Sequence, residues 1–594
     1  MQTKRIKLRF RRRLRKSQRQ VEDFSSAAEE NIDKLIFKRF GRLNKVRRFI
    51  LSWVLLMVLI ISGLVIQNIK LSGYYQTLKT VPGGIYKEGV LGAFTNANPI
   101  YATSNADTTV SKLVFSGLFT LDNHGNLIGD LAKSYSVDDK GVTYTVTLKD
   151  NLKWQDSQPL TSKDVLYTYK SIQNPDAQSP LQSSWRDIDI TAPNPKTIVF
   201  SLASPLASFK YSMTNGIVPE HILGSVPAYD LRSVDFNTVH PIGSGPFSFK
   251  ALQVKGDKKE NAEEQIALLP FNDYALGKPN LDEFIVNVFA SEEQLIDNFK
   301  SKQLDAIYGL NYVPKSIQKS KNVEVYSIPL KAASMVFFKT TSPGPLSNQK
   351  VRNALVQSAD TKDIIASLGY PARAVRSPFL SGQVGYDKTL LQPGFNLNNA
   401  KSILESDGWK IGKNNIRYKD NKPLAFSLSI ADTPESKTVA KQLRAQWKAV
   451  GADVQIRSES PTDFQTTVAY HSYDAILYGI TIGPDPDVFV YWDSSQADIR
   501  SSSRLNLSEY KNPAADTSLE SGRTRIAPEV RAFKYKSFLQ AWQQDSPALA
   551  LYQPRLLYIT NGHLSGLSTS SVSSPAERYN NVYGWQIKQA KVTN

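Results

Sequence analysis

A strongly apolar segment of the chain runs from residue 49 to residue 69 and contains no charged residue. A helix of that length spans roughly 31 Å, which is close to the hydrocarbon thickness of a bilayer. The pattern therefore predicts a transmembrane helix over residues 49–69, preceded by the segment 1–48 and followed by a short linker, residues 70–82. Everything after the helix then lies on one side of a membrane.

Beyond the linker, patterns typical of strands and of helices follow one another in irregular order. Thr161 followed by Asp164 predicts a capping box at a helix start, and Gly451 predicts a helix stop. Strands are predicted at residues 142–148, 197–202, 284–289, 323–329, 425–430, 474–479 and 549–554. Helices are predicted at residues 162–172, 291–301, 348–360, 398–409, 436–451 and about 525–544.

The order of these elements predicts an α/β fold with two lobes. Residues 335–478 read as a compact α/β unit of their own, which a long helix and a further strand follow. An α/β lobe inserted between two parts of another lobe requires the chain to cross between the lobes twice. Such an arrangement leaves a cleft, and clefts between lobes are favoured ligand sites.

Charge determines the expected orientation of the membrane helix. Residues 1–48 hold 17 Lys or Arg against 5 Asp or Glu, and basic residues beside a span stay in the cytoplasm. We therefore expect a single-pass protein of the cell membrane, with a cytoplasmic N-terminus and the large domain extracellular or periplasmic. A cleaved signal peptide is the alternative, although the basic segment is long and no A-x-A-like site follows.

The basic segment has enough charge to attract phosphates, but a cluster beside a membrane helix more often attracts anionic lipid. We accordingly expect lipid contact there and no nucleic acid partner. The chain has no cysteine, which excludes disulfides, thiolate metal sites and a lipid attached through cysteine. Its five histidines form no HExxH pair, and GxSxG, P-loop and GxGxxG motifs are absent. We predict no enzyme, cofactor or metal, although dispersed Ser, His and Asp could still meet in space.

The segment 483–487, Gly-Pro-Asp-Pro-Asp, stands out because two prolines exclude a regular helix and leave two carboxylates on a stiff loop. Asp485 and Asp487 could contact a ligand amine or another cation. The alternative is a structural loop in which aspartate caps a helix. Tyr478 and Trp492 flank this loop and could form walls of the cleft or parts of the core.

A resemblance to a known family rests on several segments in a fixed order. They are residues 115–169 (beginning FSGLFTLDNHGNL), 240–249 (HPIGSGPFSF), 350–364 (KVRNALVQSADTKDI), 398–410 (NNAKSILESDGWK), 439–456 (VAKQLRAQWKAVGADVQI) and 483–492 (GPDPDVFVYW). Through them, the chain from about residue 83 to residue 592 resembles the oligopeptide- and dipeptide-type solute-binding proteins of ABC importers, family 5 of the extracellular binding proteins.

The resemblance implies a large clamshell of the periplasmic-binding-protein type, with lobe I at 83–333 and 546–594 and lobe II at 334–545. Hinges are expected near residues 331–338 and 545–552. Such proteins close about a ligand, and a membrane permease then recognises the closed form. The helix at 49–69 would replace the usual lipid anchor.

Family members bind extended peptides through their backbone, which tolerates many side chains. Carried over to this chain, the resemblance implies backbone contacts from the loop 95–99 and from residues 478–482. The candidate ligand-binding residues are Thr95, Asn96, Asn98, Tyr478, Gly479, Ile480, Thr481, Asp485, Asp487 and Trp492.

One position departs from the family pattern. Ile482 occupies the place where an aspartate usually pairs with the amino terminus of the peptide. An apolar side chain cannot neutralise a buried ammonium group. Either Asp485 or Asp487 replaces that aspartate, or the ligand has no free amine there.

The leading interpretation is a membrane-anchored substrate-binding protein of an ABC importer, with a peptide or related small solute as ligand. Two alternatives remain at this point. The binding domain could belong to a surface receptor that signals through the helix and the long basic segment. A binder of a non-peptide solute is equally compatible with Ile482.

Overall fold

The computed structural model describes residues 47–593 except 257–262, 319, 321, 502, 563 and 569. The predicted cytoplasmic segment 1–48 lies outside the described residues, apart from its last two positions. The chain divides into two compact units. One comprises Met1–Lys79 with Gln589–Asn594, and the other comprises Thr80–Lys588.

The helix Arg47–Tyr75 dominates the described part of the first unit. Its segment Arg48–Asn68 is long and apolar enough to cross a membrane, with a mean hydropathy of 2.9 and none of that window buried. The predicted linker differs: the helix continues to Tyr75, and the strand Gln76–Val81 then pairs with Lys588–Thr593. The helix can continue this far because no proline precedes Pro82.

A seven-stranded mixed sheet organises the first lobe of the second unit. Its strand Ile85–Leu91 lies parallel to Glu283–Phe289 and to Ala306–Tyr308. The helix Glu292–Lys300 connects those two outer strands, as a parallel arrangement requires. The order across the sheet is Val323–Pro329, Arg555–Asn561, Ala306–Tyr308, Ile85–Leu91, Glu283–Phe289, Glu263–Pro270 and Phe247–Lys255.

Two smaller antiparallel sheets complete this lobe. In Thr143–Leu148, buried residues alternate with half-buried ones, as the period of two predicts. The four-stranded sheet has the order Ala132–Val137, Thr143–Leu148, Thr197–Ser201 and Asp189–Asn194, and the two-stranded sheet pairs Phe119–Leu121 with Leu127–Gly129. The other α-helices of the lobe are Asn105–Val114, Ser162–Gln173, Gln182–Trp185, Phe209–Ser212, Glu220–Leu223 and Lys315–Gln318.

A six-stranded sheet organises the second lobe, and a small three-stranded sheet lies beside it. The six strands have the order Arg373–Ala374, Ala548–Gln553, Ala332–Phe338, Ala475–Thr481, Ala425–Ala431 and Asp453–Glu459, and the three are Lys410–Ile411, Arg417–Lys419 and Lys422–Pro423. The helices are Gln349–Gln357, Thr361–Ala366, Leu397–Ser406, Pro434–Lys448, Pro461–Tyr470, Phe489–Trp492, Pro513–Arg523, Pro528–Lys534 and Lys536–Asp545.

The chain passes from one large sheet to the other at two neighbouring places. The Leu330 N–H donates to the carbonyl of Pro554 at 3.0 Å, and the side-chain amide of Gln553 donates to the Leu330 carbonyl at 2.8 Å. The strand Ala548–Gln553 belongs to the second sheet because it pairs with Ala332–Phe338. The second crossing therefore comes later in the chain than the predicted boundary at residue 546.

Local sequence signals agree well with the helices. The predicted capping box is present, with Thr161 and Asp164 at the start of Ser162–Gln173. Gly451 lies just after Pro434–Lys448 with φ of +86°, which suits glycine. The single helix predicted at 525–544 is instead two helices that meet at Tyr535.

The two lobes have separate hydrophobic cores. Two clusters lie in the first lobe, and the larger includes Tyr86, Trp154, Trp185 and Trp585, all of them buried. The two faces of the second sheet carry a cluster each, one around Trp447 and one that includes Trp492 and Trp542. Strands covered on both faces explain why the second lobe reads as apolar runs without alternation.

Candidate functional site

The predicted loop 95–99 of the first lobe is held in place by one carboxylate. Asp107 accepts hydrogen bonds from the N–H groups of Thr95 at 2.7 Å and Asn96 at 2.9 Å, and from the Thr95 hydroxyl at 2.9 Å. Asp107 lies in the first turn of Asn105–Val114, which Ser104 caps. Asp107 is not among the predicted site residues, although Ser104 followed by Asp107 is a recognisable helix-start pattern.

The two asparagines of this loop serve the loop itself. The Asn96 side chain accepts from the Asn98 N–H at 2.9 Å. The Asn98 side chain accepts from the Ile100 N–H and donates to the amide oxygen of Asn237, both at 3.0 Å. Because Asn96 and Asn98 are buried, they position the backbone, and Thr95 is the exposed residue of the loop.

The predicted segment of the second lobe combines buried and open positions. Ile480 is buried in the core, whereas Gly479 and Thr481 are exposed. Apart from Gly479 and its two chain neighbours, no heavy atom of the described residues lies within 4 Å of the place that a Cβ on Gly479 would occupy. Tyr478 is half-buried, and its ring stacks on that of Phe464 with centroids 6.2 Å apart.

One edge of this segment is available for pairing. The strand Ala475–Thr481 pairs along its whole length with Ala332–Phe338. On its other side it pairs with Ala425–Ala431 only at Ala475 and Ile476. Among the described residues, no strand covers that second edge beyond Ile476, so the backbone there remains accessible to an extended ligand.

The loop 483–487 is bonded to the crossing between the lobes and to two arginines, of which Arg531 is buried and Arg523 half-buried. The carbonyl of Lys331 accepts from the N–H groups of Ile482 at 2.8 Å and Gly483 at 3.1 Å. Asp485 accepts two hydrogen bonds from Arg531, both at 2.6 Å. Burial lowers the pKa of Arg531, but the bonds to Asp485 outweigh this effect and raise it above its usual value.

Asp487 is also paired. It accepts from the guanidinium of Arg523 at 3.0 and 3.2 Å and from the hydroxyl of Ser208, a first-lobe residue, at 3.3 Å. The Ala207 N–H donates to the Arg523 carbonyl at 3.0 Å, which makes a second link between the lobes. Neither carboxylate of the loop is therefore free to receive a ligand amine in this conformation.

Of the two alternatives for Trp492, a wall of the cleft or a part of the core, the structure supports the core, and Trp492 is not a ligand-binding residue here. Trp492 is fully buried, and its ring stacks on Phe337 with centroids 5.4 Å apart. It belongs to the core beneath the second sheet because the short helix Phe489–Trp492 directs it inward. Ile482 is buried in the same cluster, so the position of the usual aspartate is part of the core.

Two cavities lie between the lobes. The larger, of about 580 Å³, has Arg186, Asp187 and Leu206 from the first lobe and Phe489 and Arg523 from the second. The smaller, of about 330 Å³, has Pro484 from the loop 483–487, and its other lining residues are Lys112, Thr120, Leu121, Tyr211, Thr214, Asn215, Ser573, Ser574, Ala576, Glu577 and Asn580. None of the predicted ligand residues lines either cavity.

The smaller cavity holds charge that burial disfavours. Burial lowers the pKa of Lys112, and the negative charges of Asp130 and Glu577 oppose that shift. Burial likewise raises the pKa of Glu577 and raises the pKa of Asp130 to about 6. Lys112 and Glu577 are not among the predicted site residues, since each is an ordinary helix-forming residue with no motif around it.

Within the described residues, no group of three or more His, Asp or Glu side chains is arranged to hold a metal ion. The site consists of hydrogen-bonding backbone, paired carboxylates and two charged side chains in a cavity. Such an arrangement can bind and enclose a polar solute between two lobes.

Comparison with known proteins agrees with this description. The sequence model of the bacterial extracellular solute-binding proteins, family 5, matches residues 126–501. The oligopeptide-binding protein AppA of Bacillus subtilis (strain 168) is 27% identical over 490 residues, which cover 80% of this chain and 87% of that protein.

Two solved structures share the fold. AppA from Bacillus subtilis in complex with a nonapeptide has a TM-score of 0.67 at 24% identity, covering 86% of this chain and 100% of that one. NikZ from Campylobacter jejuni in complex with Ni(L-His) has a TM-score of 0.70 at 24% identity, covering 85% of this chain and 99% of that one. Because the family model spans well over half of the sequence, the chain belongs to the bacterial extracellular solute-binding proteins of family 5.

Proposed function

We propose that this protein is the membrane-tethered substrate-binding component of an ABC importer, and that it encloses a peptide or a related small solute between its lobes. The observation that carries the proposal is the pair of cavities lined by residues of both lobes. A solute in such a place contacts both lobes and favours the closed form, which a permease then recognises.

The two crossings supply a hinge for this closure. Within the part of the chain that the structure describes, residues 330–331 and Pro554 are the two chain connections between the large sheets. The hydrogen bond from Leu330 to Pro554 joins these connections side by side. A change of φ and ψ at so few positions moves each lobe as a rigid body. The loop 483–487 would move together with the hinge, because the N–H groups of Gly483 and of the preceding Ile482 donate to the Lys331 carbonyl.

A peptide is supported by the open edge of Ala475–Thr481. An extended peptide adds to such an edge through main-chain hydrogen bonds, which are common to all sequences. Gly479 and Thr481 are exposed there, and AppA, a relative of this chain, has been seen with a nonapeptide.

A non-peptide solute is the second candidate, favoured by the charges of the second lobe. Ile482 is buried and apolar, and Asp485 and Asp487 are paired with arginines. A peptide amino terminus would therefore find no free carboxylate on this side. NikZ, whose fold is the same, has been seen with Ni(L-His).

The helix Arg47–Tyr75 would hold the binding domain at the outer surface of the cell membrane. Its apolar window and the basic segment before it support a single span with a cytoplasmic N-terminus. We expect the basic segment to contact anionic lipid. The protein would act by binding and release, without making or breaking covalent bonds.

The test uses the full-length protein in nanodiscs. Calorimetry with peptides of two to nine residues and with Ni(L-His) should detect binding of at least one class. Gly479→Phe should weaken peptide binding at least tenfold, because the ring would occupy the space above the strand edge. Gly584→Phe is the matched control, since Gly584 also has an open surrounding and no positive φ.

The proposal fails if the protein binds none of these solutes. Unchanged peptide affinity in Gly479→Phe would contradict the strand-edge part alone. Protease protection of the N-terminal segment in sealed cells, with digestion of the binding domain from outside, would support the orientation. The reverse pattern would contradict it.

A further inference from the structure

The smaller cavity between the lobes combines polar and apolar lining in similar amounts, with Leu121, Pro484 and Ala576 among its apolar residues. Its volume of about 330 Å³ is at the lower end of the roughly 300–1,000 Å³ typical of small-molecule sites. Hydroxyls and amides line it, and Lys112 and Glu577 bring one charge of each sign. The cavity can take a charged ligand only if these two groups do not already satisfy one another.

Lys112 has little to compensate its charge. Its ammonium group donates to the Thr120 hydroxyl at 3.4 Å, and no carboxylate of the described residues lies within 4.0 Å of it. The side chain is half-buried. A partly desolvated cation with one weak neutral partner is costly unless a further acceptor arrives.

Glu577 uses only part of its capacity. One carboxylate oxygen accepts from the Ser573 N–H at 2.8 Å, and no basic group of the described residues lies within 4.0 Å. The backbone N–H of Ser574 also acts on this carboxyl group as a hydrogen-bond donor and lowers its pKa, so its partners are backbone groups and not a cation. The nearest influences on its charge are Lys331 and Lys112, both too distant to form an ion pair.

Two further lining atoms lack partners. The hydroxyl oxygen of Ser573 and the amide oxygen of Asn580 are buried without a hydrogen bond among the described residues. Native proteins leave few such groups unsatisfied. Their presence beside the two unpaired charges marks the cavity as a place built to receive polar groups from another molecule.

We propose that this cavity binds a small zwitterionic solute, of amino acid to dipeptide size, with its carboxylate on Lys112 and its ammonium group on Glu577. The proposal rests on the proposed function and names the ligand chemistry for it. Ser573 and Asn580 would add neutral hydrogen bonds, and Pro484 would cover the ligand from the second lobe.

We assign the ammonium group of the ligand to the first lobe because the second lobe offers it no free carboxylate in the loop 483–487. Arg531 and Arg523 occupy Asp485 and Asp487, and Ile482 offers no charge. Glu577 is the carboxylate of the cavity that has no arginine or lysine on it. The protein would thus contact both charged ends of its ligand with the first lobe, and the second lobe would cover the ligand as a lid.

The experiment uses the full-length protein in nanodiscs and calorimetry with the twenty amino acids and the dipeptides Ala-X. The tightest binder is then compared with its carboxamide and its N-acetyl derivative. We expect the zwitterion to bind at least tenfold more tightly than either. Lys112→Met should abolish the preference for the acid over the amide, and Glu577→Gln should abolish the preference for the free amine over the N-acetyl form.

Lys170→Met and Glu293→Gln are the matched controls, because both residues are exposed on helices of the same lobe. Both should retain the wild-type preferences. Lys112→Arg keeps the charge and should keep the acid preference, which guards against a folding defect in Lys112→Met. Thermal unfolding of each variant is measured alongside.

Failure to bind any amino acid or dipeptide would overturn the zwitterion proposal, whereas binding of longer peptides in the same assay would leave the proposed function intact. The proposal is also overturned if Lys112→Met and Glu577→Gln keep both preferences while the wild type binds dipeptides. Loss of all binding to every peptide and to Ni(L-His) in the wild type would count against the proposed function itself.

Discussion

The two walls of the cleft treat charge in opposite ways. On the second lobe, each carboxylate of the loop 483–487 has an arginine, and the pair of Asp485 and Arg531 is buried with two bonds of 2.6 Å. On the first lobe, Lys112 and Glu577 line a cavity without an ion pair within the described residues. The ion pairs of the second lobe hold the loop 483–487 in place, whereas Lys112 and Glu577 remain available to charged groups of a ligand.

The difference has an energetic meaning. A buried ion pair contributes little net stability, but removing one member leaves an uncompensated charge and is strongly destabilising. An unpaired charge already carries that penalty in the ligand-free protein. Its removal should therefore stabilise the fold and impair the function, which is the usual relation at binding sites.

The largest expected effect on stability comes from breaking the buried ion pair of the second lobe. Arg531→Met should lower the free energy of unfolding by about 3–5 kcal/mol, because Asp485 would remain buried without its partner. Urea unfolding followed by circular dichroism measures the change. The double variant Arg531→Met with Asp485→Leu should recover most of it, and equal loss in the single and double variants would contradict the assignment.

The second expected effect is a pH dependence of stability, and it concerns the buried first-lobe residue Asp130. Burial raises the pKa of Asp130 from its usual 3.8 to about 6, against the opposing charges of Lys112 and Lys149. Between about pH 4 and pH 6 the folded protein keeps a proton that the unfolded chain has lost. The Asp130 contribution to stability is therefore full below about pH 4 and is lost as the pH rises through about 6.

Asp130→Asn removes this dependence. A shift of about two units corresponds to about 3 kcal/mol, so the wild type should lose that much more stability than Asp130→Asn between about pH 4 and pH 7. Urea midpoints at several pH values measure the difference. Parallel profiles of the two proteins would contradict the raised pKa.

The third prediction is a gain of stability, opposite in sign to the first. Lys112→Met should raise the free energy of unfolding of the ligand-free protein by about 1 kcal/mol, because it removes a partly buried charge with one weak hydrogen bond. Thermal unfolding without ligand measures it, with the exposed Lys170→Met as control. A destabilised Lys112→Met would show that the ammonium group is already satisfied by its surroundings.

The smallest expected effect concerns the hydrogen bond between the two lobes at Ser208 and Asp487. Ser208→Ala removes the 3.3 Å hydrogen bond to Asp487, one of the links between the lobes. A single hydrogen bond to a charged group contributes about 1 kcal/mol or somewhat more, so the dissociation rate of the ligand should rise several-fold. Stopped-flow release measures it. An unchanged rate would mean that this contact does not hold the lobes together.

Much of the fold could be predicted from local patterns. The strand Thr143–Leu148 and the capped helix Ser162–Gln173 appear where periodicity and caps place them. Both signals act between residues two to four positions apart. The helix predicted at 525–544 shows the limit, because its continuous pattern does not reveal the division at Tyr535.

The site was harder to predict. The loop 95–99 and residues 478–481 could be located through the family resemblance, but their roles could not. Asn98 bonds to Asn237, and Trp492 stacks on Phe337. Both contacts join distant parts of the chain, and residue type alone does not distinguish a core tryptophan from one in a cleft.

From the sequence alone, the apolar segment at 49–69 and the two-lobed α/β order follow from composition and short-range periodicity, and the family follows from the resemblance of several segments in a fixed order. Only the tertiary structure decided which charges meet. Arg531 comes to Asp485, Arg523 to Asp487, and Glu577 reaches the cavity of Lys112 from the far end of the chain. Charge pairing depends on distances of a few ångströms between residues that the sequence separates widely.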